Sequence, residues 1–171
     1  MSEKQQLSPQ ITAEEAQKRV EEAVDNFMQG YNCSQSVVAA FADLYGFTRE
    51  QALRMAASFG GGIGRMRQTC GAACGMFMLA GLDCGATEGS DRAGKSHNYA
   101  VVQRLAEKFK AQTGSIICAE LLGLKMPEGS PEAEARTTTY YKKRPCPQMI
   151  RLGAQLFAEY LLEQQEANFL N

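Results

Sequence analysis

An all-α protein, a single-domain bundle of about six to seven helices, is predicted by three features of the chain. Apolar residues recur at three- and four-residue spacing nearly throughout, helix-capping signals punctuate the chain, and no alternating strand is found. A chain of 171 residues fits one domain, and at this size folding buries roughly 70% of the surface the unfolded chain exposes. The helical domain is expected over residues 12–164, after a polar lead-in (1–11) expected to be disordered and before a tail (165–171) expected to fray.

Thr12 with Glu15 reads as a capping box opening a first helix that runs to about Met28, with Gly30 as its stop. Ala16, Val20, Ala23, Val24 and Phe27 form its apolar stripe. Asn32 and Gln35 repeat the box for a second helix, whose Val37, Val38, Phe41 and Leu44 face inward before Gly46 ends it. Thr48 and Gln51 open a third, which ends at Gly60-Gly61-Gly62-Ile63-Gly64. A fourth helix starts near Thr69 and continues to about Leu82, and a fifth takes Asp91 to roughly Ala111 with Val101, Val102, Leu105, Ala106 and Phe109 buried. A short sixth spans Ser115 to Leu122 and stops at Gly123. Lys125 to Pro145 reads as a long ordered loop with a helical turn from Pro131, and the last helix follows Pro147 with Met149, Leu152, Leu156, Phe157 and Tyr160 on one side.

Composition excludes several classes. The formal net charge of −1 gives no general nucleic-acid or anionic-membrane surface, and no apolar run approaches the ~20 residues of a membrane span. Met1 to Gln10 is polar and lacks the apolar region of a secretory signal, so a cytoplasmic protein is expected. There thiols are usually reduced, and a set of cysteines points to catalysis, redox sensing or metal binding before structural cross-linking.

Six cysteines are present, and Cys33, Cys70, Cys118 and Cys146 each fall where a helix begins. Unpaired N–H groups and the positive end of the helix dipole favour thiolate there, the form that attacks disulfides and binds metals. Thr69 as N-cap would place Cys70 in the first turn of the fourth helix, close after Arg65 and Arg67, so thiolate is expected at Cys70. Lys142, Lys143 and Arg144 stand directly before Cys146, which precedes Pro147, a residue favoured at the first helical position. Gly71 and Gly75 lie four apart on one helix face, spacing that admits a close neighbouring backbone and with it a second cysteine, although tight packing alone needs the same glycines. Cys74, one turn from Cys70, is undecided; Cys84, beside Asp83 at a helix end where the dipole opposes thiolate, reads as structural.

No Cys-x-x-Cys or Cys-x-x-Cys-His occurs, which removes the usual zinc-ribbon, thioredoxin-like and c-type haem readings. His97, the single histidine, reads as an ordinary helical residue, and nothing local supports a cysteine–histidine nucleophile. The glycine run fails the Walker pattern and reads as a flexible loop, with a small-anion nest as the alternative. Met55, Met66, Met76 and Met78 read as core filler.

Tyr31-Asn32-Cys33-Ser34-Gln35, the glycine run leading into Cys70-Gly71-Ala72-Ala73-Cys74-Gly75, and then Cys118 and Cys146 resemble the redox-active protein family named for its C-GCAxxG-C-C cysteine pattern. The likeness covers roughly residues 16 to 160 and implies a redox function carried by Cys33, Cys70, Cys118 and Cys146. Cys74 and Cys84 inherit no role from it. The family is also similar to part of a multihaem cytochrome that carries a cysteine-bound iron–sulfur site.

Three readings stand. The first is thiol/disulfide exchange, a thiol-dependent oxidoreductase chemistry in which Cys70 or Cys33 attacks and another of the four resolves, acting with an unidentified redox partner or electron donor. In the second, the four thiolates hold zinc or an iron–sulfur cluster as metal ligands. In the third, the cysteines belong to the core of an interaction module. Amphipathic helices rich in Ala and Gly are as compatible with a homodimer as with a monomer.

Overall fold

The computed structural model describes residues 8–126 and 129–169. Local capping chemistry accounts for most helix starts. Glu15 N–H donates to Thr12 Oγ1 at 3.1 Å to open α1 (Ala13–Met28). Only half of the expected capping box forms, because the Glu15 carboxylate turns to Arg19 at 2.8 Å. The other two boxes close in both directions: Asn32 with Gln35 opens α2 (Cys33–Ala39), and Thr48 with Gln51 opens α3 (Arg49–Ala56). α4 covers Gly71–Cys84, and Asp91 caps α5 (Arg92–Thr113) by accepting from Gly94 N–H at 2.8 Å. A four-residue α6 (Cys118–Leu121), a six-residue α7 (Thr138–Lys143) and α8 (Cys146–Phe169) complete the all-α domain.

Several boundaries differ from expectation. The second helix ends at Ala39, and residues Ala42–Tyr45 form a separate 3-10 turn before Gly46, whose φ of 79° reverses the chain. The sixth helix is shorter, since Ser115 is spent on the turn before it, accepting from Ile117 N–H at 2.9 Å. The helical turn foreseen at Pro131 lies instead at α7, where Thr137 caps by accepting from Tyr140 N–H at 3.1 Å.

α4 is the centre of the bundle. Residues 71–76, Leu79, Ala80 and Asp83 are all buried, and it packs against α2, α5 and α8, while α1 packs on α8 and α2. A Cβ at Gly75 would sit 3.0 Å from Val37 Cβ, and one at Gly153 of α8 would sit 3.0 Å from Ala72 O. Glycine is what lets three helices meet at backbone distance here. Phe27, Phe41, Phe109, Phe157 and Leu105 fill the space between them at 0–1% exposure, each stabilising the fold by about 1.5–3 kcal/mol. Met76 belongs to this core, but Met66 does not: it is exposed.

Asp83 is a buried carboxylate accepting three hydroxyl donors, Ser8 Oγ at 2.8 Å, Tyr45 OH at 2.9 Å and Tyr160 OH at 2.7 Å. These bonds offset its desolvation. Burial first, then the Asp83 charge and hydrogen bond, push the two phenol pKa values up. Ser8 is thereby tied down, and Ile11 is buried and exchanges backbone hydrogen bonds with the Gln165 amide. The lead-in expected to be disordered through residue 11 is thus packed from Ser8 onward, and helix extends to Phe169 where fraying from 165 was expected. Residues 1–7, 170 and 171 lie outside the described residues. No helix among the described residues is long and apolar enough to cross a membrane.

Candidate functional site

All four cysteines of the pattern stand at helix starts. Cys33, Cys118 and Cys146 are the first residues of α2, α6 and α8. Cys70, expected one position inside a helix capped by Thr69, is itself the N-cap of α4, with φ −52° and ψ 131°. Thr69 is occupied otherwise. It pairs with Ile117 in an isolated antiparallel bridge that sets the two chain segments side by side. Cys70 N–H donates to Ile116 O at 2.7 Å and Cys118 N–H donates to Gln68 O at 2.6 Å, so the bridge delivers Cys118 to the start of α4.

The glycines bring the thiols closer still. A Cβ on Gly71 would lie 3.0 Å from Cys33 Cβ and 2.9 Å from Phe59 O, and one on Gly62 would lie 2.6 Å from Cys118 Cβ. All four cysteines consequently line one cavity of about 50 Å³, shared with Arg67, Arg136, Tyr140, Arg144 and Met149. That is room for a few water-sized groups. Folding thus gathers at this cavity four cysteines that lie far apart in sequence.

The glycine run is not a flexible loop. Gly61, Gly62, Ile63, Gly64 and Arg65 are consecutive positive-φ residues, with Ile63 at 63° and Arg65 at 64°, and Arg67 follows at 59°. This is a left-handed turn, unfavourable by roughly 1–2 kcal/mol for each residue with a side chain. Its N–H groups are turned inward: Ile63, Gly64, Arg65, Arg67 and Gln68 N–H donate to Phe59, Ser58, Gly60, Gly61 and Gly62 carbonyls at 2.7–3.3 Å. An anion nest is therefore not formed by these amides. The turn instead sets Arg67 on the cavity, where, 4% exposed, it donates from Nη1 toward Cys118 Sγ at 4.0 Å.

Charge divides the four thiols. The Cys33 thiol donates a hydrogen bond to Cys146, which draws the Cys146 pKa down to about 7; Arg144, Arg136 and Arg67 pull the same way, against burial. The same bond, with burial and the neighbouring thiols, pushes Cys33 far up. Burial pushes Cys70 up to about 12, although the N–H groups of Ala72 and Ala73 oppose it. Cys118 is also pushed up by burial, against the pull of Arg67 and Arg144. Expected thiolate at Cys70 is thus overturned. Its helix terminus contributes as foreseen but forms no cap hydrogen bond, and desolvation of a 6%-exposed sulfur outweighs it. The thiol poised to ionise is Cys146.

Of the basic run before Cys146, Lys142 and Lys143 are exposed, and only Arg144 lines the cavity. Sequence reasoning missed Arg136. It stacks over Phe27 at 4.6 Å and Tyr140 at 4.7 Å, donates to Tyr31 O at 3.2 Å, and keeps a buried Nη1 without a hydrogen-bond partner among the described residues. It also missed Tyr140, which holds Arg136 on one contact and Arg144 on another, each at 4.7 Å. The signal available was local, Arg136, Tyr140 and Arg144 recurring every four residues, whereas the contacts to Phe27 and Tyr31 span more than a hundred residues.

The remaining candidates lie apart. Cys74 donates toward Thr69 O at 3.7 Å, and burial raises its pKa to about 11. Cys84 donates to Ala80 O at 3.2 Å and accepts from Asn98 Nδ2 at 3.4 Å, bonds internal to the α4–α5 packing. His97 is exposed on α5 and does not line the cavity. A larger groove of about 320 Å³ between α1 and α3 holds no cysteine, and its Arg19 is already paired with Glu15 at 2.8 Å and Asp43 at 2.6 Å.

A site for zinc or an iron–sulfur cluster needs several thiolates directed at one point. Among the described residues no three His, Cys, Asp or Glu side chains come together as a metal-holding group. The four cysteines line one cavity, but they do not form such a ready-made group there.

Residues 31–160 match a family model whose description reads "Putative redox-active protein (C_GCAxxG_C_C)". The matched span contains all four cavity cysteines. No curated protein and no solved structure matches the chain.

Proposed function

The chain belongs to the C_GCAxxG_C_C family described as redox-active, and we propose that it works by thiol–disulfide exchange, with Cys146 as the attacking thiol and Cys33 as the resolving one. One observation carries this reading: Cys33 and Cys146 line one small cavity together with Arg67, Arg136 and Arg144. The bonded partner and the guanidiniums favour thiolate on Cys146, the form that attacks. Cys146 displaces one sulfur of the target disulfide and forms a mixed disulfide; Cys33 then attacks the Cys146 sulfur, releasing the second target thiol. Two electrons pass from the protein dithiol to the target. Cys70 and Cys118, protonated and adjacent across the Thr69–Ile117 bridge, form a second dithiol on the same cavity that can take over the disulfide.

The test is pulsed alkylation across pH with peptide mapping, followed by mild oxidation. Cys146 is expected to label first, with a midpoint near 7, and oxidation should yield a Cys33–Cys146 bridge that reductant reverses. Six unreactive thiols, or oxidation that never joins these two, would overturn the reading. Stoichiometric iron or zinc in anaerobically purified protein, lost in Cys118→Ser, would replace it with metal binding.

A further inference from the structure

Glu134 lies in the segment without regular structure that precedes α7, among exposed residues. Its carboxylate is nevertheless claimed by three guanidiniums from separate parts of the chain: Arg65 at 3.5 Å, Arg67 at 3.7 Å, and Arg144 in a direct ion pair. Arg136 stands beside them on the same cavity. Three guanidiniums therefore converge on one carboxylate, and Arg136 Nη1, buried and lacking an acceptor among the described residues, remains a further donor to be used on the cavity. Guanidinium forks match carboxylates in shape and charge. Two of the three contacts to Glu134 are longer than a hydrogen bond, and its side chain is 39% exposed, so the carboxylate can be displaced.

We propose that this arginine clamp is the carboxylate subsite of the cysteine cavity, that Glu134 is its resident stand-in, and that the disulfide reduced at Cys146 belongs to a small carboxylate-bearing molecule. The proposal rests on the dithiol reading above and names its substrate class. The size of the cavity agrees with it: about 50 Å³ admits a slim sulfur while the charged end stays at the arginines. A folded protein surface does not enter such a space.

The reaction balances as follows. The Cys146 thiolate forms a bond to one sulfur of the bound disulfide, whose S–S bond breaks, and the departing thiolate takes a proton from solvent. Cys33 gives up its proton and attacks the Cys146 sulfur, expelling the second thiolate. The protein dithiol is oxidised to one disulfide, and the small disulfide is reduced to two thiols.

The reduced full-length protein is mixed at neutral pH and low salt with three aliphatic disulfides of similar size: dithiodipropionate, bis(hydroxyethyl) disulfide and cystamine. Formation of the Cys33–Cys146 bridge is followed by mapping, and each rate is divided by that of free mercaptoethanol with the same disulfide. The normalised rates are expected to fall from the dicarboxylate through the neutral compound to the diamine, spanning about tenfold or more. Added salt should compress this span. Glu134→Gln should raise the dicarboxylate-to-neutral ratio severalfold, a ratio that cancels any change in thiol reactivity. Equal normalised rates, or cystamine fastest, with the bridge still forming, would overturn the carboxylate subsite and leave the dithiol reading standing, as would a ratio unchanged or lowered in Glu134→Gln. Failure of all three disulfides to join Cys33 to Cys146 would overturn both.

Discussion

Cys70 and Cys146 stand at the N-terminal ends of two long helices and line the same cavity, yet one is held protonated and the other is drawn toward thiolate. At the α4 end, Cys70 is sealed against the core, and two backbone N–H groups oppose its desolvation without overcoming it. At the α8 end, Cys146 is half-buried, takes a hydrogen bond from Cys33 and is pulled by three guanidiniums. The contrast teaches that a helix terminus is too common a feature to select a nucleophile. Full charges and a donating neighbour select it, and they must exceed the cost of burial.

The sharpest way to break the comparison is a brief iodoacetamide pulse at neutral pH. With one thiol near 7 and the other near 12, and with nucleophilicity falling as pKa falls, Cys146 should label on the order of a hundredfold faster than Cys70. Comparable labelling of the two by mass spectrometry would erase the distinction. Next come two glycines of the same helix. Gly71→Ala pushes a methyl against Cys33 Cβ and Phe59 O, and overpacking of this kind costs about 1–3 kcal/mol. Gly81→Ala meets nothing within 4 Å and should stabilise α4 by roughly 0.5–1 kcal/mol. Urea melts of the two variants that shift in the same direction would contradict the close approach of α2.

A smaller effect tests the guanidiniums. Arg144→Gln should move the Cys146 titration upward and slow its alkylation severalfold at about pH 6.5, below its inflection, while Cys70 is unchanged. Smallest is the dependence of stability on pH. The Cys146 pKa is lowered by folding, from 9.0 to about 7, so its contribution is complete above the unfolded value and is lost as pH falls through the folded one. Urea midpoints of the wild type should therefore rise from pH 7 to 9 relative to Cys146→Ser. Parallel profiles would remove Cys146 from this account.

How much was legible beforehand varies with the range of the interaction concerned. Asn32–Gln35 and Thr48–Gln51 were readable because a cap and its partner lie three residues apart. The Gly71–Gly75 face was readable as a close-approach surface, but not which helix would take it. The glycine run was misread because its left-handed turn is held by carbonyls four to six residues back, a pattern with no composition signal of its own. Arg136 and Glu134 were not read: Tyr140 and Arg144 lie only four and ten residues on, but the partners that tie them to the cavity, Tyr31, Phe27, Arg65 and Arg67, are remote in sequence.

The amino-acid order alone determined most of the helices and, to within a few residues, where they start, and hence the placement of four sulfurs near helix N-termini, because capping and amphipathic periodicity act over a few residues. Only the tertiary structure decided which sulfur ionises. That outcome depends on water removed and charge brought near, and the groups responsible around Cys146 come from three separate stretches of the chain, holding Cys33, Arg67, and Arg136 with Arg144.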